Sequence, residues 1–238
     1  MSITFLSSTT TTDSKSSFSS NPIPAMFWLN YEIFRTPSLL AELRAECWPY
    51  LTSGSSLDEP VRFDISALRG QPLLQSSIAE ALRLRTHVFV LRYPDEHDMV
   101  IDEWRIPKKN LVMVCSTTSH MDPSLWNTGT SSSHPLKQFW AERFIEQAKG
   151  SYIQKESKRK FSSRGLEGIW LPFGGGAQMC PGQLFTKTAI SLATALMVTQ
   201  FDIELCNPEK EVPMSWFTLW SWGNQARGQG SVSPQKKM

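Results

Sequence analysis

The segment Phe173-Gly174-Gly175-Gly176-Ala177-Gln178-Met179-Cys180-Pro181-Gly182 sets one cysteine after a glycine-rich turn and before a long apolar run. If Cys180 caps a helix whose first residue is Pro181, its sulfur faces unpaired amides and the positive end of the helix dipole. Both favour thiolate over thiol, the form that a nucleophile or a metal ligand needs. The glycines allow backbone to approach a large planar ligand closely. Two chemistries compete: a reactive nucleophile and a metal-ligating thiolate. A cysteine protease also needs a histidine base, and none of His87, His97, His120 and His134 sits in a local signature of one. A phosphate-cradling loop is excluded, because no Lys followed by Ser or Thr comes after the glycines. An iron ligand is the stronger reading.

The elements that must position this loop follow from spacing. Ala25, Phe27, Trp28, Leu29, Ile33 and Phe34 form an apolar run at helical period, predicting a helix buried on most sides. Thr36 and Pro37 read as the N-cap and first residue of a second helix through Glu46. A polar loop is predicted over 52–60. A third helix is predicted over Pro72 to Arg85, with Leu73, Leu74, Ile78, Ala81 and Leu82 inward. His87 to Arg92 and Leu111 to Ser116 read as short strands. Asp122 and Pro123 predict a brief helix, and 127–134 a polar loop. Leu184 to Phe201 reads as a buried helix; Lys187 and its hydroxyl and amide side chains argue against a membrane span.

Composition narrows the class. With 238 residues, 40% hydrophobic and 19% charged, most of the chain can bury a core. The balance of 24 basic and 22 acidic residues argues against a nucleic-acid surface built on charge. Cys47, Cys115, Cys180 and Cys206 are scattered with no CxxC pair, so neither a disulfide framework nor a structural zinc is expected. Residues 1–20 hold 13 Ser or Thr, one Lys and no Arg. They match neither a signal peptide nor a transit peptide, and predict a disordered segment. The tail over 223–238 is polar and basic and is read as loose.

Phe173, Gly176, Cys180 and Gly182 match the F-x-x-G-x-x-x-C-x-G haem-binding signature, and in this the chain resembles the cytochrome P450 family. Glu80 and Arg83 match the E-x-x-R pair of the family's K helix. Ala141-Glu142-Arg143-Phe144 resembles its P-E-R-F segment, with Ala in place of Pro. Alone, the first is a surface ion pair on a helix and Arg143 a loop arginine. Together with the cysteine loop they resemble the family's Glu–Arg–Arg triad, a structural lock between the K helix and the segment before the haem loop. The resemblance implies a mainly α fold with small β-sheets: the C-terminal part of the P450 fold, from the end of the I helix through J, K, the meander and the Cys-ligand loop to the L helix. It implies haem b with Cys180 as the axial iron ligand. Arg92 stands where members often pair an arginine with a haem propionate; a strand-edge arginine is the plain alternative. Gln178 replaces the usual Arg or His, so it can donate a hydrogen bond but brings no charge. His120-Met121-Asp122-Pro123 and Trp126 resemble the H-x-D-P-x-x-W stretch, with a structural role.

Asn21-Pro22-Ile23-Pro24-Ala25 is similar to the Asn-x-x-Pro-Ala pattern of the sterol 7α-hydroxylase and prostacyclin synthase branch and of related fungal enzymes. The acid and alcohol that deliver protons in most members are absent there. Asn21, Ala25, Val88, Phe89 and the Met214–Leu219 turn are the substrate-pocket candidates. The resemblance covers residues 20 to 222, about the C-terminal half of the family's fold, and this predicts an uncovered distal haem face and no membrane anchor. It implies a monooxygenase hydroxylating an apolar small molecule, in sterol or secondary metabolism, with electrons from NADPH through cytochrome P450 reductase. Members of this type are often bound to the endoplasmic reticulum membrane. An isomerase or dehydratase on the same scaffold, and a non-catalytic fragment, are the alternatives.

Overall fold

A computed structural model describes residues 22–53, 60–146, 159–206 and 234–235. The Ser/Thr tract, Asn21, the Met214–Leu219 turn and most of the tail lie outside the described residues. Four helices carry the core: α1 (Pro22–Phe34), α2 (Pro37–Cys47), α4 (Pro72–Arg85) and α6 (Gln183–Gln200). Their inner faces meet through Leu29 and Ile33 of α1, Leu43 and Cys47 of α2, Leu74 and Ile78 of α4, and Ile190, Ala195 and Val198 of α6. The short α3 (Ile65–Arg69) adds Leu68 beneath them, and Asp64 caps it by accepting from the Ala67 amide at 3.0 Å.

Tertiary partners satisfy the helix ends. Thr36 precedes Pro37 as expected, yet its side chain makes no capping bond, and its carbonyl accepts from the Leu40 amide at 3.0 Å. The first amides of α4 are met by the carboxylate of Glu46 on α2, which accepts from Leu73 at 3.0 Å and Leu74 at 2.8 Å. Burial raises the pKa of Glu46, opposed by those two amides. At the far end of α6, Arg44 donates through Nε to the Val198 carbonyl at 2.6 Å and through Nη2 to the Phe201 carbonyl at 3.2 Å.

Small antiparallel strand pairs decorate this bundle. β1 (Leu51–Ser53) pairs with β2 (Arg62–Phe63), so the loop predicted over 52–60 begins as a strand. β3 (Phe89–Arg92) pairs with β6 (Val112–Cys115), Phe89 opposite Cys115 and Arg92 opposite Val112. Between them β4 (Met99–Ile101) and β5 (Trp104–Ile106) form a hairpin that sequence reading missed. β7 (Ile145–Glu146) pairs with β8 (Lys160–Phe161), and β9 (Asp202–Ile203) with β10 (Pro234–Gln235), which orders two residues of the tail.

Two expectations need correction. No helix starts at Asp122: its Oδ1 accepts from both the amide and the hydroxyl of Ser124, at 2.9 and 2.7 Å, which closes a turn instead. The helix lies just upstream, as α5 (Ser116–His120). Nor is α6 buried all round. Leu184 and Phe185 are each 56% exposed, and only the stripe Ile190, Ser191, Thr194, Ala195, Val198 is buried. Among the described residues no helix is long and apolar enough to cross a membrane.

Candidate functional site

Helix α4 is buried along nearly its whole length, including Ser76, Ser77, Glu80 and Arg83, because a polar wall packs against one side of it. Three charges with no exposure beyond 4% meet there: Glu80 and Arg83 on α4 itself, and Arg143 from the segment packed against it. Arg83 donates through Nε and Nη2 to the two Glu80 oxygens at 2.7 and 2.9 Å, the i, i+3 spacing bringing fork to fork. Arg143, 63 residues on, donates from Nε to Glu80 Oε1 at 2.9 Å. One carboxylate thus serves two guanidinium groups, and backbone oxygens take up the excess positive charge. Arg83 reaches the carbonyls of His120 at 2.7 Å and Leu136 at 2.6 Å. Arg143 reaches those of Asn127, Pro135 (3.2 Å) and Gln138 (3.3 Å). Burial lowers the Arg143 pKa, and Glu80 opposes the shift.

The cluster pins the strandless stretch from Asn127 to Arg143 against α4, and α5 carries the connection onward. Ser119 Oγ donates to the Ile169 carbonyl at 2.7 Å, Trp126 Nε1 donates to the Ser119 carbonyl at 2.7 Å, and the Leu171 amide donates to His120 Nε2 at 3.0 Å. Leu171 opens the cysteine loop. Within it Gly174 and Gly176 have φ of +74° and +66°, the left-handed region open to glycine. The Gly174 amide donates to the Leu171 carbonyl at 3.2 Å and the Cys180 amide to the Phe173 carbonyl at 2.9 Å, folding the loop back on itself.

Cys180 is not the helix cap: its amide folds back onto the Phe173 carbonyl within the loop, and α6 starts at Gln183 with Gly182 as N-cap. The Cys180 side chain lies on an exposed residue. Arg92, from the end of β3, donates through Nη2 to the Gly175 carbonyl at 2.6 Å and through Nη1 to the Leu91 carbonyl at 2.7 Å, which brings Arg92, Gly176 and the cysteine loop together. Phe173 is half-buried against the core, with Lys187 Nζ 5.5 Å above its ring and 5.3 Å above that of Trp170. Sequence reading missed this lysine. Gln178 lies in the 3-10 turn Gly176–Gln178, and its side chain falls outside what is described. Of the pocket candidates, Ala25 is buried in the main core. Val88 is held by Ser116, whose Oγ accepts its amide at 2.9 Å, and Phe89 is 48% exposed on β3. Asn21 is outside the described residues.

The family model for cytochrome P450 matches residues 21–222. The chain belongs to the cytochrome P450 family. It is 36% identical over 200 residues to the cytochrome P450 monooxygenase efuG of Hormonema carpetanum, covering 78% of this chain and 36% of that protein. It is also 36% identical over 200 residues to the monooxygenase fsoE of Humicola fuscoatra, with 78% and 34% covered. The cholesterol 7-alpha-monooxygenase of Cricetulus griseus is 30% identical over 202 residues, with 81% and 38% covered. The chain therefore spans about a third of the length of these relatives.

Membership of the P450 family implies haem, and the residues present fit it. Among the described residues no three His, Cys, Asp or Glu side chains are grouped to hold a metal ion. A macrocycle, which brings its own donors to a metal, suits a single thiolate ligand at Cys180. A Cβ built on Gly174 meets nothing within 4 Å, so the loop presents open backbone to a flat ligand. Within five residues of the sulfur, Met179, Leu184 and Phe185 expose apolar surface. In this P450 chain Cys180 would hold the iron, and Arg92 would stand beside the loop as a cation.

Proposed function

We propose that the chain is the Cys-ligand part of a haem-thiolate monooxygenase acting on an apolar small molecule. The observation that carries this reading is the exposed Cys180 on a loop with two left-handed glycines, braced by Arg92 and tied through His120 to a buried ion cluster. Haem, when bound, supplies the activation of oxygen for insertion into a substrate bond. The chain's own residues do the rest. Cys180 would hold the iron through its sulfur, a ligand that donates electron density to the metal. Arg92 offers charge to an acidic group of the cofactor. Glu80, Arg83 and Arg143 keep the loop's supports fixed. Electrons come from NADPH through a reductase, and the likeness to a cholesterol 7-alpha-monooxygenase and to fungal monooxygenases supports a sterol or secondary-metabolism substrate.

The first turn of α1 holds no acidic residue, only Pro22, Ile23, Pro24 and Ala25, which favours a second reading: an isomerase or dehydratase that needs no delivered proton. NADPH consumption coupled to hydroxylated product supports the first reading, and turnover without NADPH the second. The cofactor assignment is tested by reconstituting the chain with haemin, reducing it and adding carbon monoxide. The strongly red-shifted Soret band of thiolate ligation is expected, and Cys180→Ala abolishes it while Cys206→Ser leaves it intact. A wild-type chain that stays colourless, or a Cys180→Ala variant that keeps the band, overturns the assignment.

A further inference from the structure

We propose that His120 is a positioning residue for Cys180, joining the end of α4 to the start of the cysteine loop through both nitrogens of one imidazole. His120 closes α5 and has no solvent exposure. Nε2 accepts the Leu171 amide at 3.0 Å, so it carries no proton, and the ring must be the tautomer with its hydrogen on Nδ1. Nδ1 lies 3.1 Å from the Arg83 carbonyl and donates to it. That carbonyl belongs to the last turn of α4, where helical oxygens lack an intrahelical partner. Arg83 returns the contact by donating from Nη1 to the His120 carbonyl at 2.7 Å. The ring is held edge-on by Trp126, with centroids 6.2 Å apart and planes at 90°.

Any buried histidine must find partners for both nitrogens, but nothing requires those partners to lie on two distant segments. Here each nitrogen is committed to the backbone of a different segment, 37 and 51 residues away in sequence. The path then continues without a break. The Leu171 carbonyl receives the Gly174 amide, and the Phe173 carbonyl receives the Cys180 amide. The ion cluster of Glu80, Arg83 and Arg143 is rigid because it is buried and saturated. His120 links Arg83 directly to the start of the cysteine loop, its Nδ1 on the Arg83 carbonyl and its Nε2 on the Leu171 amide. Its consequence for a bound haem rests on the reading of Cys180 proposed above.

The test uses the full chain and two variants that divide the ring's functions. Gln carries an acceptor as far out as Nε2 and should keep the Leu171 bond. Asn carries a donor at the place of Nδ1 and should keep only the Arg83 bond. Amide hydrogen exchange is read at Leu171, Gly174 and Cys180 without any cofactor. We expect His120→Asn to speed exchange at Leu171 and Gly174 at least about tenfold, and His120→Gln to stay within about threefold of wild type. Leu43→Ala, which opens a cavity at a fully buried side chain of α2, provides the control for general loosening. If His120→Asn and Leu43→Ala accelerate these amides alike, or if Gln behaves as Asn does, the proposal fails. Haemin loss is then followed for the same proteins, and faster loss from Asn than from Gln is expected. Should the exchange pattern appear while wild type binds no haemin, the His120 link is supported and the reading of Cys180 is the part overturned.

Discussion

Replacing Glu80 by Gln is the sharpest perturbation of this molecule, because it removes a charge while leaving volume unchanged. Glu80 accepts four hydrogen bonds: two from Arg83 at 2.7 and 2.9 Å, one from Arg143 at 2.9 Å, and one from the Trp140 amide at 3.3 Å. Wild type holds one negative and two positive charges in the cluster; the variant holds two positive charges and no negative one. At an effective dielectric constant of about 20, each close pair is worth roughly 4 kcal/mol of Coulomb energy, so about 8 kcal/mol of gross attraction disappears. The amide also presents hydrogens toward guanidinium hydrogens. Relaxation and water entry reduce the net cost, and breaking a buried pair in this way typically costs about 3–5 kcal/mol. Against a total stability of about 5–15 kcal/mol, that is a large share. In urea, with a slope of about 2 kcal/mol per molar, the midpoint should fall by about 2 M at unchanged slope, followed by tryptophan fluorescence. Arg143→Met should cost less, since it leaves Glu80 and Arg83 as a neutral pair. A Glu80→Gln loss below about 1 kcal/mol, or an Arg143→Met loss exceeding it, would refute the charge argument.

Burial first, and the Arg83 guanidinium in addition, push the His120 pKa down to about 4, so folding keeps this ring neutral where the unfolded chain would bind a proton. Its contribution is complete above about pH 6.5 and is lost as the pH falls toward 4, about 3 kcal/mol in all; His120→Gln should flatten that part of the stability curve relative to wild type. Thiol reactivity should split by position. Cys180 and Cys206 are exposed and should label quickly, Cys115 more slowly, and Cys47 only on unfolding, because burial holds its thiol up at about 12. Early labelling of Cys47 in native protein would contradict the packing of α2. Glu46→Ala should cost about 1–2 kcal/mol by leaving the Leu73 and Leu74 amides without their acceptor, measured by the same urea titration. Arg92→Leu should loosen the loop at Gly175 and speed haemin loss with little change in the urea midpoint, whereas a midpoint shift as large as that of Glu80→Gln would assign Arg92 to the core instead.

What was legible in the sequence was local. Pro72 to Arg85 stands as helix α4 with the limits its spacing implies, since proline at the start and apolar residues at helical period are properties of a few adjacent residues. The same holds for the strands near Val90 and Met113 and for the cysteine loop as a loop. Tertiary structure decided who meets whom. The i, i+3 spacing brings Arg83 to Glu80, but only the return of the chain 63 residues later delivers Arg143, and nothing near Arg143 specifies that destination. The capping of α4 by Glu46, the reach of Lys187 over two rings and the two-sided use of His120 are likewise meetings between segments far apart in sequence. The start of α6 also departs from the local reading: proline beside cysteine suggested a cap at Cys180, while the helix is capped two residues on, at Gly182, and the Cys180 amide folds back to Phe173. Sequence spacing sets which side chains share a face. Burial decides which of them lose water, and a group that has lost water must take its partner from whatever the fold brings within reach.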